Sequence, residues 1–225
     1  MRKGQLIVFE GSEGAGKTTQ LTLLTGRLKG EGFEVLPLRE PGGTLLGDSI
    51  RDILLDPARH ISPSAEALLF MASRAQLVRD EIDPALDRGV VVLMDRFFLS
   101  TYAYQIDGRG LPEQEIRSAN DLATGGLVPN LNIVLEIPAA DGLERASARG
   151  GHDRIEQSGE EFHSRVERAF ARFAGGDWQK AHPEVGPVVM IDGRGEPLQV
   201  HQRVLEALAR NLPERFAMLS NSRAS

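Results

Sequence analysis

Apolar runs and apolar stripes take turns along this chain. Residues 5 to 9, QLIVF, form a short apolar run that gives way to glycines, and beyond Lys17 the leucines Leu21, Leu24 and Leu28 recur at helical spacing. The pattern predicts strand, loop, helix. FEVLPL (33–38) predicts a second strand, which Pro37 confines to an edge or to its own end. After the break at PGG, Leu46, Ile50, Ile53 and Leu54 form a helical stripe. Ser62 and Pro63 supply a cap and first turn for a long helix in which Ala67, Phe70, Met71, Arg74 and Val78 repeat every three or four residues.

RGVVVLMDR (88–96) is an uninterrupted apolar run closed by an acid and a base, the form of a strand buried on both faces of a parallel sheet. Its carboxyl end is expected at the site. A helix from 112 to about 124, strands at 131–137 (LNIVLEI) and 186–192 (GPVVMID), and a helix from about 159 to 174 complete the series. Strand and helix alternate five times with no linker and no internal repeat. The expected fold class is α/β, a doubly wound five-stranded parallel sheet flanked by helices on both faces. One domain over residues 1–210 is expected, with 211–225 a frayed tail.

Length and composition agree with this: 225 residues with 41% apolar and 26% charged make an ordinary globular chain. The net charge of −6 and the lack of a basic tract speak against a nucleic-acid partner. Of 26 basic residues only Lys3, Lys17, Lys29 and Lys180 are lysines, which leaves 22 arginines, and arginine forks suit phosphate oxygens. For most of them, a GC-rich genome that pushes lysine codons toward arginine is the preferred account. With no cysteine there is no disulfide, thiolate zinc site or cysteine nucleophile. The apolar run at the start, Leu6 to Phe9, is too short for a signal-peptide core, and no run approaches the roughly 18 residues of a membrane span. A cytoplasmic protein without a membrane partner is expected.

The glycine-rich stretch FEGSEGAGKTT contains GxxxxGK[ST], with Gly11, Gly16, Lys17 and Thr18 at the fixed places. It lies between an apolar strand and a leucine-striped helix, where loop N–H groups and a helix N-terminus converge on one anion. Gly11, Ser12, Glu13, Gly14, Ala15, Gly16, Lys17, Thr18 and Thr19 are therefore the expected ATP-binding loop of a P-loop NTPase fold. Lys17 is expected to neutralise β- and γ-phosphates, and Thr18 with Asp95 at the end of the third strand to hold Mg²⁺. Glu13 is a puzzle, a negative side chain in an anion cradle. No NKxD motif is present, as GTPases require, and the chain is short for a motor or transporter ATPase. A small kinase with a second pocket, several arginines and a lid remains.

The motifs LREPGGT (38–44), IRDILLD (50–56), LLFMASRAQ (68–76), DRFFLSTYAYQ (95–105), RASARGGHDRIEQ (145–157) and IDGRGEP (191–197), in this order and spacing, resemble the bacterial thymidylate kinase family from about residue 3 to 210. That resemblance implies transfer of the γ-phosphoryl of ATP to dTMP, with Mg²⁺, in a homodimer. It implies that Phe70 stacks on thymine, Arg74 bonds its O4, and Arg51 and Arg96 hold the dTMP phosphate. An aromatic and an arginine four apart on one helix face suit one planar base on physical grounds also.

The same resemblance sets Ser100 and Thr101 at the base edge and Tyr104 against the 2′ position, with Tyr102 a rival for that job. It gives Glu13 the 3′-hydroxyl of the acceptor. It makes residues of about 145–158 a lid whose arginines reach the transferring phosphoryl: Arg149 first, Arg154 second, with Arg145 as readily a solvated charge. Arg194 is set near the adenine. The family usually has Tyr or His where this chain has Phe97, so a polar role at that position is absent. Two other readings stay open: another nucleotide or deoxynucleoside kinase, and a regulatory P-loop ATPase that switches a partner.

Overall fold

Five parallel strands stand in the order β2-β3-β1-β4-β5 in this computed structural model, which describes residues 4–138, 141, 142, 144, 145 and 153–221. They are β1 (Gln5–Glu10), β2 (Val35–Arg39), β3 (Val91–Asp95), β4 (Leu131–Glu136) and β5 (Val188–Asp192). Each falls within or one residue beyond its predicted run. β2, the strand with Pro37, is at the edge, where a missing N–H costs no ladder bond.

Alternate residues of the central strands feed two cores. Leu6, Val8, Val92 and Met94 pack on one side with Phe98, Phe170 and Phe173, while Ile7, Phe9, Leu93 and Ile133 pack on the other with Leu24, Leu28, Val204 and Leu208. Burial on both faces explains why β1 and β3 read as unbroken apolar runs.

The helices on the first side are α3 (Pro63–Leu77), α4 (Asp83–Arg88), α5 (Phe98–Thr101), α6 (Glu113–Thr124) and α7 (Glu160–Phe173); α2 (Leu45–Leu55) packs on α3. Ser62 caps α3 as expected, its hydroxyl accepting from Ala65 N. α3 leads through a wider π-helical turn, Val78–Ile82, into α4, and α5 leads into another, Tyr102–Gly108. α8 (Gly176–Ala181) follows α7. The second side carries α1 (Lys17–Gly30), α9 (Pro197–Asn211) and α10 (Pro213–Phe216).

Over residues 211–221 the structure departs from the expected frayed tail. Phe216 and Leu219 are fully buried, Phe216 lies 5.5 Å from the Phe33 ring, and Arg215 donates to Gly89 O at 2.7 Å. Two apolar residues three apart, beyond the proline that stops α9, are enough to fold the chain back onto α9 and Phe33.

The order of strands sets the site. After β1 the chain crosses to β2 on one side of the sheet and after β3 to β4 on the other, so a crevice opens beyond the carboxyl ends of β1 and β3, where Phe9 and Asp95 are in register.

Candidate active site

The loop after β1 places Gly16 at φ 93°, a left-handed conformation that suits glycine, so that α1 starts with its N–H groups toward the crevice. No side chain caps that end, which leaves an unneutralised helix N-terminus for an anion. Lys17 curls back and donates to Gly11 O (3.1 Å) and Ser12 O (2.8 Å). Burial, with Arg96, pushes its ammonium down to about 8 against the pull of Glu13, Asp95 and Glu10. Gly14 packs so closely on the backbone of Gly142 that a β-carbon would collide with the Gly142 carbonyl. Thr18 Oγ donates to Asp95 Oδ2 at 2.6 Å, so two residues 77 apart in sequence meet as predicted.

A cavity of about 590 Å³ runs from this loop to α3. Glu13, Gly14, Gly16, Lys17, Thr18, Thr19 and Asp95 line one end, and Arg51, Phe70, Arg74, Ser100, Thr101 and Tyr104 the other. Arg96 joins the two ends. It is the single non-glycine residue with positive φ (71°) among the described residues, at the sharp turn from β3 into α5. Its guanidinium donates to Gly11 O (3.0 Å), Ser100 Oγ (3.0 Å), Glu13 Oε1 (2.6 Å) and Tyr104 Oη (3.1 Å), and it lies 4.9 Å over the Tyr104 ring.

Glu13 therefore turns away from the phosphate cradle toward the far end, where Tyr104 Oη also donates to it at 3.1 Å. Burial pushes its carboxyl up, but Arg96 and Lys17 outweigh burial and hold it at about 2.

Beneath Arg96 is Glu10, fully buried at the end of β1. It accepts Phe97 N (2.8 Å), Ser100 N (3.2 Å) and Ser100 Oγ (2.6 Å), capping α5 from another strand. Burial pushes Glu10 up to about 7, against the pull of Ser100, Arg96 and the two N–H groups. Ser100 Oγ is thus taken by Glu10 and Arg96, and it reaches the far end of the cavity through Arg96 rather than as a free reader of a base edge.

Arg74 is buried and spends all five N–H groups on protein acceptors. Glu40 takes Nε (2.9 Å) and Nη2 (2.6 Å), Phe97 O takes Nη2 (3.0 Å), and Asn120 Oδ1 (2.7 Å) and Thr101 Oγ1 (3.1 Å) take Nη1. A bond from Arg74 to a base oxygen is accordingly a shared one. Phe97, the departure from Tyr or His, lies 5.0 Å from the guanidinium carbon of Arg74 as a cation–π partner. Arg51 lines the same end, with Nη1 held by Pro41 O at 3.0 Å.

Three expectations change. Arg154 does not line the cavity: its Nη2 pairs with buried Glu66 at 2.7 Å and its Nε donates to Leu54 O at 2.8 Å, so it ties residues 153–158 to α2 and α3. Arg194 stands exposed outside the cavity wall, forked onto Asp192 at 2.9 and 3.0 Å. Tyr102 loses its rivalry with Tyr104, because its hydroxyl donates to Glu184 at 2.6 Å on the far side of α5. Arg145 is exposed, and Arg149 lies outside the described residues.

Residues missed from the sequence are Glu10, Glu40, Glu66 and Gln105. Gln105 is buried, lines the far end of the cavity and donates from Nε2 to Glu66 at 2.9 Å. The signal was present, since Glu40 and Gln105 stand inside LREPGGT and DRFFLSTYAYQ.

Comparison with known proteins gives one consistent result. The family model described as Thymidylate kinase matches residues 9–183. The thymidylate kinase of Deinococcus radiodurans is 49% identical over 180 residues, 80% of this chain and 87% of that protein. That of Caldanaerobacter subterraneus subsp. tengcongensis is 42% identical over 206 residues, 92% of this chain and 95% of that protein. The crystal structure of thymidylate kinase from Ehrlichia chaffeensis superposes with a TM-score of 0.71 at 31% identity, covering 91% of this chain and 99% of that one.

Proposed function

This chain belongs to the thymidylate kinase family, and on that premise we propose that it transfers the γ-phosphoryl of ATP to dTMP, giving dTDP and ADP. The observation that carries the reading is one continuous cavity in which a P-loop at one end faces an aromatic and arginine-lined pocket at the other, with Arg96 between them. ATP phosphates rest on the loop N–H groups and Lys17. The thymine lies against Phe70, with Arg74 at O4 and the carbonyl of Gln105 toward N3–H. Tyr104 crowds the 2′ position and Glu13 takes the 3′-hydroxyl.

Arg51 and Arg96 hold the acceptor phosphate. That phosphate is already ionised, so no strong general base is required, and the work is positioning and neutralisation of charge. Arg149 is the residue we assign to the transferring phosphoryl from the 145–158 segment.

The oxygens of Thr18 and Asp95, side by side next to the P-loop, suit Mg²⁺, which takes few protein ligands and fills its shell with phosphate oxygens and water. Bound there, Mg²⁺ offsets the negative charge of the β- and γ-phosphates.

We read residues 1–210 as one kinase domain working in the cytoplasm; among the described residues no helix is long and apolar enough to cross a membrane. A homodimer is supported by Leu68 on α3 and Leu122 on α6, 63% and 88% exposed on helices that pack side by side.

A coupled assay of ADP release across dTMP, dUMP, dCMP, AMP and GMP tests the reading. Turnover highest with dTMP is expected. Turnover of dCMP, AMP or GMP with none of dTMP overturns it.

A further inference from the structure

Among the described residues that line the cavity, one carries a side-chain amide, Gln105. Its Nε2 end donates and its Oε1 end accepts, so a half-turn exchanges what it offers to a base. What fixes the turn lies outside the cavity. Glu66 of α3 is 1% exposed and meets Gln105 Nε2 with Oε1 at 2.9 Å. A carboxylate only accepts, so the amide nitrogen must face it. No donor among the described residues takes the Gln105 Oε1.

Glu66 is itself fixed. Arg109 donates from Nε to Oε1 (3.1 Å) and from Nη2 to Oε2 (3.0 Å), and Arg154 pairs with Oε2 at 2.7 Å. Burial pushes this carboxyl up, but the bonds from Arg109, Gln105 and Arg154 bring it below its ordinary value, so it stays ionised. Arg109 lies 4.3 Å over the Phe162 ring, which holds the guanidinium in place.

We propose that Glu66 is a specificity-positioning residue: held by Arg109 and Arg154, it locks the Gln105 amide with its carbonyl toward the pocket, so that the site accepts a pyrimidine carrying an N3–H and rejects one carrying a bare N3. Thymine and uracil carry that proton; cytosine presents a lone pair there. The inference rests on the reading of this cavity as the dTMP site. It also gives Arg154 a task in substrate choice through Glu66, without contact with substrate.

Glu66→Gln tests it. Two guanidinium nitrogens, Arg109 Nη2 and Arg154 Nη2, meet the Oε2 position and keep an oxygen there, so the new NH₂ group falls at Oε1, where it loses the Arg109 Nε bond and stands opposite Gln105 Nε2. Two donors cannot face each other, and Gln105 is expected to turn, offering its own NH₂ to the pocket. The ratio of kcat/KM for dTMP to that for dCMP is then expected to fall by about 100-fold or more, because a buried polar mismatch discriminates strongly. Glu66→Asp, still acceptor-only, is expected to keep the preference for dTMP even where overall activity drops.

If Glu66→Gln does not fold, Gln105→Leu serves in its place, since it removes the amide and leaves the Glu66 pairs intact; the ratio is expected to fall there too. An unchanged ratio in Glu66→Gln, or in Gln105→Leu where that variant stands in, overturns the proposal. Failure of the wild-type protein to use dTMP overturns the functional reading instead, so the two failures are told apart.

Discussion

Replacing Glu10 by glutamine removes a charge while leaving a side chain of the same shape to accept the Phe97 and Ser100 N–H groups. In the native protein burial lifts the Glu10 carboxyl from its ordinary 4.5 to about 7. The difference of roughly 2.5 units, at about 1.4 kcal/mol each, corresponds to about 3 kcal/mol. The folded state binds this proton more tightly than the unfolded chain. Its contribution to stability is therefore fully present below pH 4.5 and is lost as pH rises through 7.

The glutamine does not titrate, so subtracting the variant's stability from that of the wild type isolates the contribution of Glu10. Urea unfolding of both proteins at pH 5, 6, 7 and 8 is the assay, and the wild type is expected to lose about 3 kcal/mol relative to Glu10→Gln over the window from about 4.5 to 8. Glu13, held at about 2, stays ionised throughout and does not contribute. A difference that is flat from about pH 5 to 8 would refute the reasoning, because it would mean that Glu10 ionises as if solvated and does not seal the start of α5 beneath Arg96.

Arg154→Ala leaves buried Glu66 with Arg109 as its remaining arginine and is expected to cost about 3 kcal/mol in urea unfolding. A collapse of kcat at unchanged stability would return Arg154 to the transferring phosphoryl. Leu68→Glu combined with Leu122→Glu is expected to turn a dimer into a monomer in light scattering after size-exclusion chromatography, and a dimer that persists would place the interface elsewhere.

The strands and the P-loop were legible because their causes are local. Ile7, Val8, Leu93 and Met94 must be apolar where both faces of a strand are covered, and Gly16, Lys17 and Thr18 must be consecutive where a loop turns into a helix around an anion. The meeting of Thr18 with Asp95 was expected from the motif and from an acid closing the third strand, and the adjacency of β1 and β3 brings it about.

What escaped depends on partners distant in sequence. Arg154 carries the charge a catalytic arginine needs, yet its Glu66 partner lies at the head of another helix, and only the fold shows that they pair. Ser100 reads as a free hydroxyl until Glu10 is seen to accept from it. Arg74 reads as a free fork until Glu40, Asn120, Thr101 and Phe97 are counted around it. In the tail, the apolar run Phe216 to Leu219 is only four residues long, and the burial of Phe216 and Leu219 depends on the groove that α9 and Phe33 leave open.

The central claim is that Glu13, although part of the P-loop, serves the acceptor through its position beside Arg96 and Tyr104. Steady-state kinetics of Glu13→Gln with each substrate varied in turn tests it most directly. Loss of a charged hydrogen bond is expected to raise KM for dTMP by about 10-fold or more while KM for ATP changes by less than about 2-fold. An equal rise in both would contradict the claim and make Glu13 part of the donor cradle.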